Sequence, residues 1–89
     1  MPINVMIVDD SGAVRHALEQ LLEPEKDIEV MASVPNPFVA AEKIKLQIPD
    51  VLILDLEMPK MDGITFLKKI MSQRPIPTII CSTLTAEGS

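Results

Sequence analysis

The chain has 89 residues, 47% of them apolar, and a formal net charge of −5. That length allows one domain at most, and one that buries roughly 60–70% of its unfolded surface is only marginally stable. Without a run of Lys or Arg, and with Phe38 and Phe66 as its only aromatics, the chain lacks the equipment for direct nucleic-acid binding. The single cysteine, Cys81, excludes an internal disulfide and fits a reducing compartment; in its apolar run it reads as a small core residue. No apolar segment reaches membrane-spanning length, and Met1 to Val5 do not begin a signal peptide, so a cytoplasmic setting is expected.

Residues 3–8 read as the first strand, with Val5-Met6-Ile7-Val8 running straight into Asp9-Asp10. Asp10 or Ser11 can cap a helix from Gly12 to about Glu23, whose apolar stripe is Val14, Ala17, Leu18, Leu21 and Leu22. Arg15, His16, Glu19 and Gln20 fall on its polar side, and Pro24 ends it. Residues 28–34 form a second strand, whose partial alternation suits a sheet edge with one wetter face. Asn36-Pro37 supplies an N-cap and a first-turn proline for a helix over about 37–47. Val51-Leu52-Ile53-Leu54 then form a strand buried on both faces, and it stops at Asp55. Residues 56–63 are a proline- and glycine-containing loop, with Asp62 placed to cap a helix over about 63–73. The inward positions of that helix are Ile64, Leu67, Ile70 and Met71. Thr78 to Ser82 is a fourth strand.

Strands alternating with helices predict an α/β fold with a doubly wound parallel sheet. In the flavodoxin-like order 2-1-3-4 the third strand lies between the first and the fourth. That order gathers Asp9, Asp10, Asp55 and Ser82 around one pocket at the carboxyl ends of the strands, where such sheets bind ligands. Helix capping accounts for one of these acids, not for all three. Three carboxylates in one place repel, and a hard cation such as Mg²⁺ resolves the conflict. A carboxylate beside Mg²⁺ points to phosphoryl transfer, with Asp55 as the nucleophile. Ser82, or Thr83 one residue further into the loop, offers a hydroxyl to the phosphoryl group.

Asp9-Asp10-Ser11, the strand ending in Asp55, Met58-Pro59-Lys60-Met61-Asp62-Gly63 and the hydroxyl after the fourth strand resemble a response-regulator receiver domain along the whole chain. The resemblance implies that Asp55 takes a phosphoryl group from the phosphohistidine of a histidine kinase. It implies that Asp9, Asp10 and the backbone carbonyl of Glu57 hold Mg²⁺ with Asp55, and that Ser82 is the switch hydroxyl. Residues 55–63 and 81–89 are also similar to the regulatory domain of chemotaxis protein-glutamate methylesterases. That similarity implies an attached effector, which removes methyl groups from receptor glutamates and is blocked until the receiver is phosphorylated.

A receiver of this kind continues through a fifth strand ending in a lysine, and no lysine follows Ser82. Residues 1–89 are therefore expected to be one receiver domain, incomplete at its C-terminal end, whose fourth strand leaves an apolar edge open to dimerisation or swapping. On this expectation the fragment itself is not an enzyme, although the full-length protein is a methylesterase. The competing readings are a stand-alone chemotaxis receiver, an interaction module that is never phosphorylated, and a phosphohydrolase using Asp55 with Glu57. His16 is read as a surface residue rather than a phosphoryl relay, and Met58 and Met61 as gap-filling.

Overall fold

The computed structural model of the protein describes residues 2–56 and 63–81. Seven elements follow one another: β1 (Ile3–Val8), α1 (Gly12–Leu22), β2 (Ile28–Val34), α2 (Pro37–Leu46), β3 (Val51–Asp55), α3 (Gly63–Gln73) and β4 (Thr78–Cys81). The strands form one parallel sheet in the order β2-β1-β3-β4, as the alternation of strands and helices predicts. The predicted helix ends at Glu23 and Gln47 are cap residues just outside α1 and α2. Among the described residues, no helix is long and apolar enough to cross a membrane.

β1 and β3 are continuous apolar runs because both of their faces are covered. Met6, Val8, Leu52 and Leu54 point to one face and meet Val34, Ala40, Phe66 and Ile76. Val5, Ile7 and Ile53 point to the other, where Leu18 and Leu22 of α1 cover them. Polar contacts fix the lower ends of the two strands. The Asp50 N–H donates to the Asn4 carbonyl at 2.8 Å, and the Asn4 N–H donates to Asp50 Oδ2 at 2.8 Å.

Three predicted burial patterns are corrected. In α1 the inward line is the half-buried Val14, Leu18 and Leu22, while Ala17 is exposed and Leu21 is 70% exposed. The sheet contacts only a narrow stripe, and Ala17 and Leu21 lie on its flank. In α3 the contact centres on Phe66, 3% exposed, with Leu67 and Ile70 beside it, while Ile64 and Met71 are exposed. These last two sit about 160° and 140° around the helix from Phe66.

β2 is an edge strand as expected, but its alternation does not leave one face wet. The register shifts between Val5, opposite Val30, and Met6, opposite Ala32, so Met31 is an extra residue. Ile28 and Val30 therefore serve the α1 side, whereas Ala32 and Val34 serve the opposite core.

Cys81 is half-buried against the α1-side cluster, and Ser82 lies outside the described residues. Among those residues β4 is an edge strand whose Ile79 and Ile80 are 55% and 43% exposed. The dimerisation expectation rests on this edge.

Leu52→Ala should cost about 2–5 kcal/mol, because Leu52 is fully buried between layers. Leu21→Ala should change stability by less than about 0.5 kcal/mol. Urea unfolding of the two variants checks the pair.

Candidate functional site

The site grows from the end of β1. The Asp9 N–H donates to the Val34 carbonyl at 3.1 Å, which carries the β1–β2 ladder one residue beyond Val8. The chain then turns sharply. Asp9 Oδ1 accepts from the Ser11 N–H at 2.8 Å, the local bond an aspartate makes two residues ahead of itself. Ser11 Oγ accepts from the Val14 N–H at 3.2 Å and caps α1, so Ser11 rather than Asp10 is the cap.

Val8 pairs with Leu54, so the residues that follow, Asp9 and Asp55, emerge side by side. Asp9 is 6% exposed and Asp55 is 9% exposed, whereas Asp10 faces solvent. A carboxylate oxygen from each of the three lies within 4.8 Å of the others. Two like charges at that distance repel by on the order of 3 kcal/mol at an effective dielectric of 20. Hard oxygen donors at this spacing suit a small divalent cation. Opposite ligands on Mg²⁺ are only about 4.2 Å apart. Carboxylates within this reach suit an ion that takes one or two of them and keeps several waters.

Arg15 is the residue that sequence reasoning missed. Helical periodicity puts it on the polar side of α1, yet it is half-buried and its Nη1 donates to the Asp9 carbonyl at 2.7 Å. The signal was available: long side chains in a first helical turn lean towards the helix N-terminus, and here that end abuts the acid pair. His16 is exposed, as expected. Glu57, Ser82 and Thr83, along with Met58, Lys60, Met61 and Asp62, lie outside the described residues.

The family model for the response regulator receiver domain matches residues 5–89. Over 87 residues the chain is 64% identical to protein-glutamate methylesterase/protein-glutamine glutaminase 3 of Rhodopseudomonas palustris, covering 98% of this chain and 24% of that protein. It is 53% identical over 89 residues to the protein of the same description, numbered 1, from Chromobacterium violaceum, covering 25% of it. The chain thus spans about a quarter of the length of the curated relatives it matches. Among solved structures, the response regulator domain of Thermotoga maritima CheB superposes with a TM-score of 0.88 at 37% identity. That match covers 100% of this chain and 66% of the other. The isolated REC domain of RcsB from Salmonella enterica serovar Typhimurium, solved in the presence of phosphomimetic BeF3⁻, gives 0.86 at 28% identity over 92% of this chain and 62% of that one.

Replacing Ser11 with Ala should cost about 1 kcal/mol through loss of the α1 cap, and Ser11→Gly only a few tenths. Denaturant midpoints of the two variants against the parent measure this.

Proposed function

The chain belongs to the response regulator receiver domain family, and from that premise we propose that Asp55 accepts a phosphoryl group from the phosphohistidine of a histidine kinase. The observation that carries this reading is the set of three carboxylates at neighbouring strand tips, two of them buried. A carboxylate oxygen of Asp55 attacks the phosphorus, the phosphorus–nitrogen bond breaks, and the freed imidazole takes up a proton. The product is an acyl phosphate on Asp55.

Asp9 and Asp10, with the backbone carbonyl of Glu57, are the residues that would hold Mg²⁺ alongside Asp55. When bound, Mg²⁺ neutralises charge on the phosphoryl oxygens and relieves the repulsion among the carboxylates. Arg15 holds the Asp9 main chain, and the Ser11 N–H holds one Asp9 oxygen. Together they fix the acid before any ion arrives. Ser82 or Thr83 would donate a hydroxyl hydrogen bond to the transferred group.

The likeness to protein-glutamate methylesterase/protein-glutamine glutaminases supports a larger role. In that role residues 1–89 act as the receiver domain of a chemotaxis protein, and their phosphorylation governs an attached esterase that acts on receptor glutamates. A cytoplasmic setting, within reach of an ATP-fed kinase, follows from that role.

Incubation with acetyl phosphate and Mg²⁺ should add the mass of one phosphoryl group, removed by hydroxylamine and absent from Asp55→Asn. Phosphorylation that persists in Asp55→Asn would refute the assignment. Asp9→Asn should lower the Mg²⁺-dependent rate by at least about tenfold.

Binding of Mg²⁺ should also register in stability. At ten times its dissociation constant the ion should stabilise the fold by about 1.4 kcal/mol. Thermal unfolding with and without Mg²⁺ checks this, and the gain should vanish in Asp9→Asn.

A further inference from the structure

α2 and α3 lie on the same core cluster, and a cleft of about 840 Å³ opens between them. Its floor is apolar. Phe66 is buried at the base, Ile70 is partly buried, and Phe38 and Ile48 are 53% and 41% exposed. Its walls carry Lys45, Lys69 and Arg74, with Glu42 as the one acid among the lining residues.

Three of the eight cations of the chain line this cleft, and Lys43 and Lys68 lie on the same two helices. Five of the eight Lys and Arg residues, Lys43, Lys45, Lys68, Lys69 and Arg74, lie within 37–48 and 63–74, which hold a single acid, Glu42. Those segments therefore carry a net +4, and the remainder of the chain carries −9. Lys45 is engaged with Glu42 at 3.3 Å, the only salt bridge among the described residues. Lys69 and Arg74 have no carboxylate partner within that set.

We propose that the α2–α3 cleft docks an acidic amphipathic helix of a partner protein, with apolar side chains over Phe38, Phe66 and Ile48 and carboxylates towards Lys69 and Arg74. An apolar floor with cationic walls fits such a helix. α2, with 10 residues, is about 15 Å long and matches some three turns of a docked helix.

A second copy of the chain fits less well. The exposed stripe of α1, Ala13, Ala17 and Leu21, is mostly too small to fill the cleft. A bilayer fits less well too, because Phe66 lies buried at the base of the cleft, out of reach of a flat surface. The surface is separate from the Asp55 site and does not depend on its chemistry.

The test is titration of the isotopically labelled chain with a synthetic helical peptide carrying Leu on one face and Glu on the other. Its counterpart with Lys for Glu and phosphatidylserine vesicles serve as the other arms. Saturable shifts confined to α2 and α3 are expected with the Glu peptide, weakening as salt rises. Binding of the Lys peptide should be at least roughly tenfold weaker, and the K69E/R74E double variant should lose a similar factor. Absence of saturable shifts, equal binding of both peptides, binding to vesicles alone, or concentration-dependent self-association through the same residues would overturn the proposal. If the double variant unfolds, the peptide pair and the salt series still decide.

Discussion

The parallel pairing of β1 with β3 is the constraint on which the site depends. Val8 stands opposite Leu54, so the next residue of the first strand and the last residue of the third must emerge together. Both are aspartates, both are almost out of water, and a third carboxylate stands beside them. Such an arrangement is unfavourable in isolation, since burial and proximity each oppose like charges. The fold holds it in place with interactions elsewhere: two apolar layers clamp the strands, and a pair of Asn4–Asp50 bonds sets their lower ends. A site under that tension favours whatever brings positive charge or draws negative charge onto a waiting cation.

Much of this was legible in the amino-acid sequence. Two apolar runs that each stop at an acid cannot be explained by packing. Once α/β alternation sets the strand order, those acids have to meet. The cap at Asn36 and the proline after it located α2 for the same reason: few residue types satisfy those backbone positions. Less was legible where tertiary contact overrides periodicity. Phe66 rather than Ile64 became the inward anchor of α3, because the sheet selects only part of an apolar arc that is wider than its contact. Arg15 was read by helical face alone, although its reach matters more than its face.

Charge follows the same lesson. Read as a string, the chain is mildly acidic and its lysines look dispersed. Folded, it is polarised, with cations on the α2–α3 side and anions at the strand tips and beyond α1. The two regions suit different visitors: a hard cation with a phosphoryl group at one, and a carboxylate-bearing helix at the other.

The extra residue in β2 carries more weight than its place at the periphery suggests. Because the register steps past Met31, Val34 stands opposite Val8, serves the same core as Leu54, and offers its carbonyl to the Asp9 amide. Were Met31 missing, the ladder would run unbroken, and Ala32, Ser33 and Val34 would keep their partners Met6, Ile7 and Val8 and their sides of the sheet. The bulge thus lets the outermost strand carry one residue more than its neighbour while its far end stays in step with the first acid, so a difference in length is taken up in mid-strand and not passed on to the strand tips.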